Sequence, residues 1–303
     1  MERELLIHLP VILTVARRGG FAAAASTLGM SPSAVSHAVR LVEQRLGQPL
    51  FHRTTRSVRL TEAGAELLAT LGPALDSLED GLAQLHAAKG RVTGTLRLNT
   101  PRAILAAVVT PIIQILSQAH PELIIDVTAD EALTDIVAAG YDAGIRMGEM
   151  IAQDMVTIRL TPPWRTALAA SPAYLTAHGT PEHIADLSQH NCINYRLLAA
   201  DTTYGWELQE GGRDITVTVK GTIRVSDATY ARELALEGIG IAYLFEPLIR
   251  NDLATGRLMQ ILPASAIEEP GLFLYFPRHA AKAPKLRAFI EAACHRLGTA
   301  TAR

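Results

Sequence analysis

Ser33, Ser36, His37 and Arg40 fall on one side of a segment whose apolar residues Val35, Val39, Val42 and Leu46 recur at spacings of four, three and four. That spacing predicts a helix with one apolar and one polar face. Hydroxyls, an imidazole and a guanidinium on one solvated face are the donors and acceptors that can meet base edges in a major groove. Arg53, Arg56 and Arg59 follow closely, and guanidinium geometry suits phosphate. Residues 1–61 carry eight Arg and three Glu, a net of +5, while residues 62–303 carry 20 bases and 27 acids, a net of −7. The chain-wide charge of −2 therefore averages a basic segment and an acidic body. The excess of Arg over Lys, 24 against four, is also what a GC-rich genome produces, so the division of charge carries the inference.

The elements around these residues suit that chemistry. Leu5, Leu9, Ile12, Leu13 and Ala16 recur at helical spacing before Gly19-Gly20, and Phe21–Leu28 (FAAAASTL) reads as a short Ala-rich helix. Ser31 is a good N-cap with Pro32 at the first helical position, so a helix runs from there to about Leu46, and Gly47 ends it. Small Ala34 sits in its first turn. Helix, tight turn, helix with a polar outer face is the helix-turn-helix pattern. The alternation Val58-Arg59-Leu60 suggests a strand of a two-stranded wing, with Arg53 and Arg56 on its turn to clamp phosphates. The bland alternative is a three-helix core with a solvated basic face.

Thr61-Glu62 opens a long helix to about 90. Leu68, Leu71, Leu75, Leu78, Leu82 and Leu85 are spaced 3, 4, 3, 4, 3, a heptad seam that reads as a coiled-coil dimer contact or as packing on the same chain. Pro73 predicts a kink. From Thr95 strands and helices alternate. Thr95–Asn99, Leu123–Val127 and Ala143–Met147 read as strands, with a helix from Thr100-Pro101 to about Ala119 and a short one at Leu133–Ala139, as in a parallel βαβαβ unit. A second unit begins at Arg165–Ala170, with helices near Pro172–His178, Pro181–Leu187, Asp227–Leu236 and Pro247–Thr255 and strands at Ile239–Leu244, Leu258–Leu262 and Leu272–Phe276. Glu210-Gly211-Gly212-Arg213 reads as a hairpin turn, and Pro284–Leu297 as a closing helix. The class expected is α+β: a winged helix-turn-helix at 1–61, a linker and dimerisation helix at 62–90, and a two-lobed α/β domain at 94–303. Its lobes are expected at about 94–163 with 268–303 and at about 164–267.

Other chemistries find little support. G-x-S-x-G, H-E-x-x-H and P-loop patterns are absent, and Gly238-Ile239-Gly240 lies between a helix and a strand rather than after a strand, so an α/β enzyme is disfavoured. Cys192 and Cys294 lie 102 residues apart and read as structural thiols. His178 with His183, or His190 with Cys192, lack ligand spacing and a third partner, so neither a metal nor a cofactor is expected. Apolar runs such as Ile104–Val109 are shorter than a bilayer span, and Met1-Glu2-Arg3-Glu4 is not the basic start of a secretory signal. A cytoplasmic protein without membrane contact is expected, which disfavours an exported solute-binding protein.

The motif Gly19-Gly20-Phe21-x-x-Ala24-Ala25-x-x-Leu28-x-x-Ser31-x-x-Ala34-Val35-Ser36, then Glu43-x-x-Leu46-Gly47-x-x-Leu50-Phe51-x-Arg53 and Leu60-Thr61-x-Ala63-Gly64, resembles the LysR-type transcriptional regulator family. The chain departs from the usual pattern at Gly20-Phe21, where the family often has Ser-Phe, at Pro32-Ser33, where it has Gln-Pro, and at Val42-Glu43, where it has Leu-Glu. Gly140–Arg146 and Ala169–Leu175 resemble segments of a large subgroup of the family.

The resemblance implies a periplasmic-binding-protein-like effector domain and a homodimer, or a homotetramer as a dimer of dimers. Such an assembly binds an inverted-repeat operator, acts on RNA polymerase and is not an enzyme. DNA contacts are implied at Ser31, Pro32, Ser33, Ala34, Ser36, His37, Arg40, Arg53, Arg56 and Arg59. A small-molecule effector, anionic or otherwise polar, would lie between the lobes against Thr100, Pro101, Arg102, Thr128, Arg146, Thr202, Ser226 and Asp227. Thr100 as a helix cap, with Arg102 and Arg146, would favour a carboxylate; surface or inter-lobe salt bridges are the competing use of both arginines.

Overall fold

The computed structural model describes residues 3–53, 58–87, 91–148, 151, 154–197 and 201–298. In chain order, α1 (Arg3–Arg18), α2 (Phe21–Leu28) and α3 (Pro32–Leu46) are followed by β1 (Phe51–Arg53), β2 (Val58–Leu60) and α4 (Glu62–Ala87). Then come β3 (Gly94–Thr100), α5 (Thr110–Ala119), β4 (Leu123–Ala129), β5 (Ala143–Met147), β6 (Val156–Arg159), β7 (Trp164–Ala170), α6 (Pro172–His178), β8 (Cys192–Leu197) and β9 (Thr202–Thr203). The chain continues through β10 (Trp206–Glu210), β11 (Arg213–Val217), β12 (Arg224–Val225), α7 (Ala228–Leu236), β13 (Ile241–Phe245), α8 (Glu246–Ala254), β14 (Met259–Ile261), β15 (Glu268–Glu269), β16 (Leu272–Phe276) and α9 (Pro284–Leu297).

The first three helices close around Val11, Ile12, Val15, Ala24, Ala25, Val35, Ala38, Val39 and Val42, with Leu50 and Phe51 covering one end. Ala24 and Ala25 are buried, so their small side chains let α2 lie close against its neighbours. β1 and β2 form the antiparallel wing, with His52 opposite Arg59. Residues 54–57, including Arg56, lie outside the described residues, as does the side chain of Arg53.

Pro73 lies inside α4. The leucine seam divides near it. Leu71 is buried and Leu68 packs on the core of the first three helices, whereas Leu78, Leu82 and Leu85 are 62%, 57% and 68% exposed. The N-terminal part of the seam thus belongs to this chain's own core. Farther along, Gln84 Nε2 donates to the Lys282 carbonyl at 3.3 Å, laying the other side of the helix against the same chain.

Two sheets build the rest. One has the order β4-β3-β5-β16-β6, with β3 parallel to β4 and β5, and β16 antiparallel to β5 and β6. The three strands of the expected unit, β3, β4 and β5, are parallel as read, and the sheet becomes mixed because the chain returns from the second sheet to insert β16. The other runs β12-β8-β13-β7-β14, with β9 added on β8 and β15 on β7. Glu268–Glu269 thus joins the second sheet, where the sequence reading had put 268 onward in the first lobe. The β10–β11 hairpin turns at Gly211 and Gly212, whose φ values of 58° and 79° suit the turn expected there.

Three local expectations change. Leu133–Ala139 forms turns, not a helix, because the Asp130 carboxylate accepts from Ala132 N and that of Asp135 from Val137 and Ala138 N, so side chains satisfy these amides locally. Ile184–Gln189 is a 3-10 helix. The helix expected after Pro101 begins as a 3-10 turn at Arg102–Ile104 and a π segment at Leu105–Val109 before α5. Pro111, which lacks an N–H, then falls in the first turn of α5, where none is needed. Arg102–Ala119 is 18 residues of mean hydropathy 1.5, long and apolar enough to cross a bilayer by composition. Its apolarity has a local explanation: Ile104, Val108, Val109, Ile112 and Leu116 lie in the core of the first sheet.

Candidate nucleic-acid interface and effector site

Along α3, Val35, Ala38, Val39 and Val42 are buried, while Ser31, Pro32, Ser33, His37 and Arg40 are exposed and Ala34 and Ser36 half-buried. The buried side anchors the helix, so the polar side is presented outward. Ser31 caps α3, its Oγ accepting from Ala34 N at 3.2 Å, and it also pairs with Ser33 Oγ at 2.9 Å. Arg40 Nε donates back to the Ser36 carbonyl at 3.3 Å, which lays the guanidinium along the same face. Arg59 is exposed on β2.

Three residues fix the wing relative to α3. Glu43 Oε1 accepts from Leu50 N at 2.9 Å and Phe51 N at 3.3 Å. Thr61 Oγ1 donates to the Pro49 carbonyl at 2.8 Å and accepts from Gly64 N at 3.0 Å, capping α4. A Cβ on Gly64 would lie 2.2 Å from the Leu50 carbonyl oxygen. Gly64→Ala is thus expected to push α4 off the wing and destabilise the first domain by about 1–3 kcal/mol. Thermal unfolding checks this, and an unchanged midpoint would contradict the close approach.

The two sheets meet where strand ends carry charge. Arg146, on β5, is 2% exposed. Its Nη1 donates to the Ile145 carbonyl at 2.8 Å, and its Nη2 to Asn99 Oδ1 at 2.6 Å and to the Asp130 and Ala132 carbonyls at 2.9 Å each. Asn99 is fully buried, and its Nδ2 has no partner among the described residues. Glu131, just after β4, accepts from Arg102 N at 2.9 Å and from the Tyr195 hydroxyl of the second sheet at 3.4 Å. Arg102 Nε pairs with Asp227 Oδ2 at 2.9 Å, a second bridge between the sheets. Burial pushes the Glu131 carboxyl above the usual carboxylate range, and the charge of Asp227 adds to it, against the opposing bond from Arg102 N. Burial also lowers the Arg146 guanidinium.

Comparison with known proteins matches residues 6–65 to the bacterial regulatory helix-turn-helix proteins of the lysR family and residues 89–297 to the LysR substrate binding domain. The chain is a LysR-type transcriptional regulator. It is 35% identical to the HTH-type transcriptional regulator PgrR of Escherichia coli (strain K12) over 285 residues, 93% of this chain and 95% of PgrR. The solved structure of CrgA, a LysR-type regulator from Neisseria meningitidis, superposes with a TM-score of 0.63 at 25% identity, covering 97% of this chain and 99% of that one. The Vibrio cholerae virulence activator AphB shares the fold, with a TM-score of 0.63 at 20% identity over 98% and 100% of the chains.

In this LysR-type regulator the residues expected at the effector site separate into groups. Arg102 and Asp227 meet directly. Thr128 is paired in register with Asn99 across β4 and β3, which sets it beside the Arg146 network. Ser226 precedes Asp227, which caps α7 by accepting from Thr229 N at 2.7 Å and Tyr230 N at 3.1 Å. Thr100 is not a helix cap: it is the buried last residue of β3, and Pro101, in extended conformation, holds the cap position without a side-chain bond. Thr202 instead lines an open pocket of about 440 Å³ with Arg196, Asp201, Thr203 and Arg224. Both arginines expected to hold a carboxylate are engaged by protein groups in this structure.

Glu131, Tyr195 and Asn99 escaped the sequence reading. Glu131 and Asn99 lie at or beside the ends of parallel strands, where that position alone signals a site. Tyr195 lies on β8, which the sequence reading left unassigned. Cys192 is buried and free, its thiol pushed up to about 12, as fits an inert structural residue; Cys294 is free and half-buried. Among the described residues no His, Cys, Asp and Glu cluster could hold a metal.

Proposed function

We propose that this LysR-type regulator reads an inverted-repeat operator through α3, as a homodimer or a dimer of dimers, in the cytoplasm. The reader comprises residues 1–61, the linker at 62–90 pairs two readers through Leu78, Leu82 and Leu85 of α4, and a two-lobed sensor follows at 94–303. Ser33, Ser36, His37 and Arg40 contact base edges. Ser31, Pro32 and Ala34 set the helix start, and Arg53, Arg56 and Arg59 hold phosphates. A small polar effector enters between the sheets at the Thr100–Arg102, Thr128, Arg146, Thr202 and Ser226–Asp227 positions and changes how the readers are held, and so how RNA polymerase is recruited or blocked. The chain performs no catalysis. The observation that carries this reading is the polar face of α3, presented outward from a segment of net charge +5 in an otherwise acidic chain.

Purified full-length protein mixed with fragmented genomic DNA should retain a few discrete loci sharing a dyad-symmetric sequence. Uniform retention across the genome would reduce the reading to charge-driven binding. At an enriched site, Arg40→Ala or Ser36→Ala should cost about 1–3 kcal/mol at one base pair. A binding-site selection that returns the same preference for both variants and the parent would remove these residues from base reading.

A further inference from the structure

The junction between the sheets is closed by protein groups that differ in how firmly they are held. Asp227 is fixed: Oδ1 accepts from Thr229 N and Tyr230 N in the first turn of α7, and the side chain is only 25% exposed. Glu131 is fixed by Arg102 N and Tyr195. Arg102 is the loose member. Its side chain is 58% exposed, and Nε to Asp227 is its one ion pair among the described residues. A long arginine side chain loses much rotamer entropy when held, so an exposed pair of this kind contributes little. Any molecule that opens this junction therefore displaces Arg102 more easily than it displaces either carboxylate. What stays behind is a pair of anchored carboxylates, Glu131 and Asp227, from opposite sheets.

The charge balance agrees. Arg146 is enclosed by four protein acceptors, so it offers an opened site no N–H donor; its charge does lower the Glu131 carboxyl, but burial still leaves that carboxyl raised. Glu131 already sits above the usual carboxylate range because of burial and the Asp227 charge, and a cation supplied there would relieve both. In the same network, the fully buried Asn99 keeps an N–H donor on Nδ2 that is unpaired among the described residues. A buried donor without an acceptor is costly, and a ligand acceptor would satisfy it.

We propose that the effector delivers a cationic group, a primary ammonium or a guanidinium, to the Glu131–Asp227 pair in place of the Arg102 side chain, with an acceptor group directed to Asn99. The proposal rests on reading the junction as the effector site and names the chemical class it takes. Arg102 is then an internal stand-in whose release breaks one of two polar bridges between the sheets among the described residues. The ligand's effect comes from its preference for the arrangement in which that bridge is open.

Removing the stand-in exposes the site to a small probe. Full-length Arg102→Ala protein should bind methylguanidinium and ethylammonium saturably in calorimetry, at least tenfold more tightly than the parent, with a matching rise in unfolding temperature over sodium chloride of equal ionic strength. Sodium acetate should produce no such rise. The double variant Arg102→Ala/Asp227→Asn keeps an oxygen to cap α7 and should lose the cation. Either of two results overturns the proposal: no tightening for either cation in Arg102→Ala, or acetate stabilising Asp227→Asn, in which Arg102 has lost its carboxylate partner. If Arg102→Ala fails to fold, Arg102→Met serves the same comparison. Each preparation is also assayed on an enriched genomic fragment. An Arg102→Ala protein that binds neither cation but still binds DNA overturns this proposal alone, whereas a parent protein that ignores DNA overturns the regulatory reading whatever the cations do.

Discussion

Replacing Leu78 and Leu82 together by lysine is expected to convert the protein to monomers and to lower its affinity for an inverted-repeat operator by about 10²–10⁴-fold, the advantage of linking two binding modules. The two leucines stand 62% and 57% exposed in the isolated chain, with Leu85 at 68%. Three leucines at spacings of four and three form a stripe, and exposed apolar stripes of this kind are covered when a second helix packs on them. The stripe does not face its own sensor. Gln84, which bonds the Lys282 carbonyl, lies about 200° around the helix from Leu82. The variants must sit in this half of the seam. Leu71 is buried and Leu68 packs on the reader core, so a charge there would unfold the reader instead of separating protomers. Sedimentation at micromolar concentration decides the matter. A Leu78→Lys/Leu82→Lys protein that still sediments as the parent dimer would show that the stripe is not the contact.

Arg146→Ala is expected to be among the most damaging single substitutions in the sensor. It would leave the Ile145, Asp130 and Ala132 carbonyls and Asn99 Oδ1 without their donor inside the protein. Breaking a buried charged network of this kind costs about 3–5 kcal/mol. For a unit of roughly 200 residues, that is on the order of 10 °C in the unfolding midpoint. Arg146→Lys should recover little, since one ammonium cannot span acceptors placed for a planar fork. An Arg146→Ala protein with parental stability that lost only its ligand response would mean that the guanidinium serves the ligand rather than the fold.

The reader was almost wholly legible in the sequence. The boundaries of α3, its cap at Ser31, the stop at Gly47 and the strand at Val58–Leu60 all follow from local signals. What the motif could not show is why Glu43 and Gly64 belong to it: one carboxylate holds two wing amides, and one missing Cβ admits a carbonyl. These are contacts across seven to 14 residues of chain, visible only once the turn is closed.

In the sensor, α6, β5, β16 and α9 have the bounds their residues predict. β8 went unread although Ile193, Tyr195 and Leu197 alternate with Asn194 and Arg196, and its burial does not follow that alternation, since Cys192, Ile193 and Asn194 are all buried. With β8 went Tyr195, and with it one of two polar bridges between the sheets among the described residues. Arg102 and Asp227 were each singled out as ligand contacts, but 125 positions of sequence separate them, so their pairing could not be read. That pairing is what shifts attention from a free arginine to the carboxylates around it.

Hydroxyl-radical footprinting of the full-length protein on the fragment it enriches most strongly tests the central claim most directly. The expected pattern is two protected patches related by a dyad, on one face of the duplex, with centres about 34–36 Å or a multiple apart. Protection should weaken in Arg40→Ala and collapse in Leu78→Lys/Leu82→Lys. A single protected stretch without symmetry, equally strong in all three proteins, would contradict recognition by paired α3 helices.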